Sequence, residues 1–163
     1  MGLDMYLYLS YYESEWRIPE EKREEWKKNF FPPEMEKLAD HLAAGDFFSK
    51  TTKYQVAYWR KANAVHKWFV DNCADGVDEC QEIDVPIEKL EHLVAICSEV
   101  LSDHDKAPKL LPTADGFFFG DTEYDDWYFS DLEATVKMLD PIIEFIREKP
   151  SPTSWDIIYQ ASW

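Results

Sequence analysis

An α+β fold is predicted: a small, mostly antiparallel sheet with its N- and C-terminal strands paired, covered by four to five helices. Three observations predict it. Both ends of the chain alternate with period two, while interior stretches repeat apolar residues at spacings of three and four. The 163 residues, 45% of them apolar, fill one core, and no internal repeat is present, so residues 1–163 are expected to form a single domain.

Gly2–Tyr12 opens the chain as a strand, with Leu3, Met5, Leu7 and Leu9 on one side and Asp4, Tyr6, Tyr8 and Ser10 on the other. Pro19–Phe30 is charged and reads as a solvated helix starting at its proline. Pro32-Pro33 breaks it, and a second helix with Met35, Leu38, Ala39 and Leu42 inward runs through Ala44 to a C-cap at Gly45. Lys53–Arg60 alternates and reads as a strand, with a continuous helix from Val56 as the alternative. After the strand, Asn63 caps a helix over Ala64–Asn72.

Asn72–Val85 reads as a loop. Pro86 then suits the first turn of a helix striped by Ile87, Leu90, Val94, Cys97 and Leu101. Pro108 and Pro112 frame a second loop, and Gly116–Gly120 reads as a short strand. A capping box at Ser130–Glu133 begins the last helix, with Leu132, Val136, Leu139, Ile143 and Ile146 inward and Pro141 kinking or restarting it. Trp155–Trp163 alternates again and fits beside the first strand.

Charge is the strongest compositional signal. Seventeen Lys and Arg face thirty-three Asp and Glu, a net −16. The excess is local: Asp71–Glu91 carries eight acids against Lys89, and Asp115–Glu148 carries ten against Lys137 and Arg147, while the first seventy residues balance. Such a field repels phosphates, so no direct nucleic-acid binding is expected. Twenty-six aromatics argue against a disordered acidic tail. No apolar run reaches the ~20 residues needed to span a bilayer, no secretory signal opens the chain, and no membrane partner is expected. Three cysteines, Cys73, Cys80 and Cys97, form no even framework and point to reduced thiols in a cytoplasmic setting.

Glycine-rich phosphate loops, a nucleophile elbow and H-E-x-x-H are all absent. A zinc set from His66, Cys73, Cys80 and His92 fits no standard spacing. The acidic loops around Asp75, Asp78, Glu79, Glu82 and Asp84, and around Asp121, Glu123, Asp125 and Asp126, offer oxygens to a divalent metal but lack EF-hand spacing, and ordinary solvated loops are the simpler account. No cofactor is expected. His66 reads first as a satisfied core histidine and second as a general base. Arg60 and Lys61, beside Tyr58 and Trp59, suit an anion or internal pairing.

The blocks MGLDMYL, YWRKANAVHKWFVDN, LLPTADGFFFGDTEYDDWYFSDLE and WDIIYQASW together resemble a family of small bacteriophage and prophage proteins. The resemblance implies a phage origin and a bacterial cytoplasm, and transfers no catalytic residues. Two functions are then expected. In the first, a non-enzymatic one, the acidic segments form one surface that mimics nucleic acid and occupies the basic groove of a host protein, such as a defence nuclease. In the second, a pocket of Arg60, Asn63, His66, Glu123, Tyr124, Asp125 and Trp127 takes a nucleotide-like small molecule or a metal, as a binding protein or an enzyme.

Overall fold

A computed structural model describes residues 2–35, 49–116, 119–150 and 154–163. It shows an α+β fold. One antiparallel sheet contains β1 (Asp4–Ser14), β2 (Ser49–Arg60), β3 (Ile83–Asp84) and β4 (Trp155–Ser162), in the order β2-β1-β4-β3. Five helices are present among the described residues: α1 (Arg23–Lys28), α2 (Asn63–Cys73), α3 (Ile87–Ser102), α4 (Ala107–Leu110) and α5 (Asp126–Arg147). The terminal strands are neighbours, as the matching alternation at the two ends of the chain requires. Packing divides the chain into two compact units, one of Met1–Ser10 with Lys53–Trp163 and one of Tyr11–Thr52.

The first unit owes its core to the alternation. Leu3, Met5 and Leu7 are fully buried, and each such side chain contributes about 1.5–3 kcal/mol by leaving water. Ile157, Tyr159 and Ala161 of β4 are buried too, and Tyr159 stacks flat on Phe69 of α2, centroids 4.0 Å apart. Ile83 of β3 pairs with Tyr159. Continuous with this core, α3 lies along α5. Leu90, Leu93, Cys97 and Val100 form the seam on α3, and Leu132, Thr135, Leu139 and Ile142 the seam on α5. Both run at spacings of three and four, as ridge-and-groove packing demands. Thr135 is tolerated there because it accepts the Trp59 indole N–H at 2.8 Å and donates to the Asp131 carbonyl.

The second unit is built from short helical turns. Glu15–Arg17, Glu20–Lys22 and Pro33–Met35 are single 3₁₀ turns around α1. The charged stretch after Pro19 is therefore a 3₁₀ turn leading into six residues of α-helix rather than one helix from its proline. Trp26 and Phe30 pack at 4.7 Å, and Lys27 and Lys50 pair with Glu15 and Glu13. The remainder of the helix expected through Ala44, with its cap at Gly45, lies outside the described residues.

Several boundaries differ from the sequence reading. Lys53–Arg60 is a strand, extended back to Ser49. Asn63 is the first residue of α2 rather than its cap, because its side chain is engaged elsewhere. Pro86 precedes α3 by one residue, and β3, only two residues long, carries no readable period within the stretch read as a loop. Pro108 sits in the first turn of α4, where its missing N–H costs nothing. Gly116–Gly120 holds no strand among the described residues; the Phe119 amide closes a turn onto the Gly116 carbonyl, while Phe117 and Phe118 lie outside them. The last helix begins four residues before Ser130, at Asp126, because the Asp125 carboxylate caps it by accepting the amides of Trp127 and Tyr128 at 3.0 Å. It continues through Pro141, whose lost hydrogen bond is offset by burial of Leu139 and Ile142 on either side.

Candidate functional site

Everything in the candidate site belongs to the first unit. β2 ends at Arg60, and the chain turns through Lys61 at φ 61° into α2. The Lys61 amide donates to the Leu3 carbonyl at 2.8 Å, which fixes the turn against β1. Opposite, Gly120 takes φ 91°, a conformation open to glycine at little cost. A Cβ there would stand 3.3 Å from that of Lys61, so glycine also permits the close approach of the two loops.

Asn63 fastens them together. Its amide donates to the carbonyls of Phe119 at 3.1 Å and Asp121 at 2.7 Å, and its oxygen accepts the Ala114 amide at 3.0 Å. The result is a cleft of about 430 Å³ between the β2–α2 turn, the 120–125 loop and the first turns of α5. Arg60, Asn63, Glu123, Asp125 and Trp127 line it, as the sequence leads one to expect, with Lys61 beside Arg60. Asn63 and Asp125 are occupied in holding the loops and the helix, while Arg60, Lys61, Glu123 and Trp127 present exposed side chains. Trp127 is 81% exposed.

Tyr124 and His66 are not part of this cleft. The Tyr124 hydroxyl accepts the Thr113 amide, and its ring meets Tyr128 edge-on. His66, 1% exposed, abuts a second cavity with Asp78, Asp115 and Phe119. Its Nε2 lies 3.0 Å from the Asp78 carboxylate and its Nδ1 2.7 Å from the Tyr159 hydroxyl. A carboxylate only accepts, so Nε2 carries the proton and Nδ1 accepts from Tyr159. Asp78 also accepts the Trp163 indole N–H at 3.3 Å. Burial, reinforced by the Asp78 charge, raises the Tyr159 phenol well above its usual range. This chain of hydrogen bonds locks α2 to β4 and leaves neither imidazole nitrogen for a substrate.

Asp131 is a cleft residue that no local sequence pattern marks. It stands one turn after Trp127 on the cleft wall, half-buried, and its carboxyl has no hydrogen-bond or ion-pair partner among the described residues. Burial, with the Asp125 charge adding to it, pushes this carboxyl up to about 6. Reading Ser130–Glu133 as a helix start concealed it; a start at Asp126 puts Trp127 and Asp131 four residues apart on one helical face.

The acidic stretches do approach one another. Asp71 and Asp78 from the first and Asp115 from the second line the same cavity, and α3 packs on α5. Much of the first stretch is compensated: Lys67 pairs with Asp71 at 2.5 Å, Lys53 with Glu82 at 2.6 Å and Arg147 with Glu91 at 2.7 Å. Asp75, Glu79 and Asp84 remain exposed. Among the described residues, no Lys or Arg pairs with a carboxylate of residues 115–148, although Asp121 accepts the Glu123 amide at 3.0 Å. Asp126 is exposed in the first turn of α5.

Among the described residues no three His, Cys, Asp or Glu are grouped to hold a metal ion, so the set His66, Cys73, Cys80 and His92 is not assembled. His92 faces Trp68, and burial pushes the Cys97 thiol up to about 12. Among the described residues no helix is long and apolar enough to cross a membrane. No protein-family model, curated protein or solved structure matches the chain.

Proposed function

We propose that this protein binds a small charged molecule in the cleft between Arg60 and Trp127. One observation carries the reading: the half-buried Asp131 carboxyl lines the cleft wall and has no hydrogen-bond or ion-pair partner among the described residues, and burial raises it. A partly desolvated carboxyl facing a cleft is a group that a ligand can complete, and perturbed carboxyls gather at such sites. A guanidinium, an ammonium and an exposed indole border the same space. The volume falls within the ~300–1,000 Å³ usual for small-molecule sites.

The test is a thermal-shift panel of nucleotides and charged amino acids, run on the wild type, Arg60→Ala and Trp127→Ala. A ligand at a hundred times its Kd adds about 2.7 kcal/mol, a rise in Tm of roughly 5–10 °C for a chain of this size. At least one compound is expected to give such a shift, and both substitutions to remove it. A flat panel, or a shift that survives both substitutions, would reject the reading.

Among the described residues the carboxylates of residues 115–148 have no Lys or Arg partner, and this favours a second reading, in which a phage-encoded protein presents them to a basic groove on a host defence nuclease. Glu123 and Asp126 are suited to its test, because neither side chain bonds to another group among the described residues, unlike Asp121 and Asp125. A Glu123→Lys/Asp126→Lys variant is expected to lose protection of phage growth against the host nuclease. Protection retained in full would dismiss the mimic.

A further inference from the structure

Accepting the cleft as a ligand site, we infer that its ligand is a zwitterion, a basic amino acid whose guanidinium or ammonium lies between the Trp127 indole and the Asp131 carboxyl while its carboxylate meets Arg60 and Lys61. Charge balance is the first argument. Asp121, Glu123, Asp125 and Asp131 face the cleft against only Arg60 and Lys61, in a chain of net −16. The phosphates of a nucleotide would deepen that imbalance, whereas a cation relieves it.

Geometry is the second argument. Trp127 and Asp131 sit four residues apart on α5, so their Cβ atoms are about 5–6 Å apart on one face. An aromatic face attracts a cation, and the adjacent carboxylate supplies the fixed counter-charge. The other acids do not substitute for Asp131. Asp125 is spent on the amides of Trp127 and Tyr128, Asp121 on that of Glu123, and Glu123 is exposed. Both Asp131 oxygens remain available, the arrangement a planar guanidinium engages with two parallel hydrogen bonds. Across the cleft, adjacent Arg60 and Lys61 have no carboxylate partner among the described residues and offer donors to an anion.

Titration calorimetry with L-arginine, L-citrulline and agmatine tests the assignment, with nucleotides as controls. Citrulline keeps the shape of arginine without its side-chain charge, and agmatine lacks the carboxylate. Each is expected to bind at least about tenfold more weakly than arginine, the loss typical of a charged hydrogen-bonded contact. Asp131→Asn, close to isosteric, should weaken arginine by a similar factor without lowering Tm. Affinity should also fall as pH is lowered through about 6, where Asp131 takes up a proton. Arg60, Lys61, Asp121, Glu123 and Asp125 are the charged groups that line the same cleft from the β2–α2 turn and the loop before α5, and the Asp125 charge acts on it. Citrulline or a nucleotide binding as tightly as arginine would overturn the cation assignment while leaving the cleft a ligand site. Failure of every compound to bind would overturn both.

Discussion

Replacing His66 with Ala is expected to lower folding stability by about 3–5 kcal/mol, through a cavity and orphaned polar groups together. The imidazole is 1% exposed and bridges two elements that are distant in sequence, α2 and β4. Its removal leaves the Tyr159 hydroxyl in the core without an acceptor and takes the donor from Asp78. In a domain of this size the loss corresponds to a fall in Tm of roughly 6–20 °C. Two companion variants distribute the effect. Tyr159→Phe keeps the stack on Phe69 and strands only the Nδ1 acceptor, so about 1–2 kcal/mol is expected. Asp78→Asn retains an oxygen for the Nε2 proton and should cost the least of the three. Denaturant melts of all three check the order; a His66→Ala variant within about 1 kcal/mol of wild type would mean that the chain of hydrogen bonds does not hold α2 to β4.

That network shows what sequence can and cannot reveal. The inward row Leu3, Met5, Leu7 and Leu9, and the pairing of the two terminal strands, were legible because a period of two survives in a linear string. His66 as a satisfied core histidine was legible from its apolar neighbours; its partners Asp78 and Tyr159 were not, because no local pattern links residues 12 and 93 positions away. The seams on α3 and α5 were placed nearly right. Residues such as Val94 and Val136 were expected inward, but Leu93 and Thr135 are the buried ones, since the neighbouring helix decides which edge of a broad stripe is covered.

The cleft was half legible. Arg60, Glu123 and Trp127 drew notice as mixed charge and aromatics, and the fold brings them together. Asp131 was hidden by a competing helix-start signal, and Asn63 was identified with the wrong role. Asparagine after a strand usually signals a cap, but here Ala114, Phe119 and Asp121 offer its side chain three backbone partners.

Asn63→Ala is therefore expected to cost about 2–3 kcal/mol and to abolish ligand binding in the cleft while the core of β1, β4 and α2 persists. The cost is below three full hydrogen bonds because Asp121 is exposed and its carbonyl can recruit water, whereas the half-buried Ala114 amide and Phe119 carbonyl are less accessible. Loss of the clamp frees the Gly120 loop from Lys61, so the wall bearing Glu123 and Asp125 no longer has a fixed distance from Arg60. Asn63→Asp separates the donor role from simple volume. It keeps an acceptor for Ala114 but directs carboxylate oxygen at the carbonyls of Phe119 and Asp121, and it should be at least as damaging as Ala. Hydrogen exchange at the Ala114 amide reports the clamp directly, with faster exchange expected in the Ala variant and slow exchange retained in α2. If Asn63→Asp melts like wild type and leaves the Ala114 amide protected, the side-chain N–H donors are not what holds the cleft together.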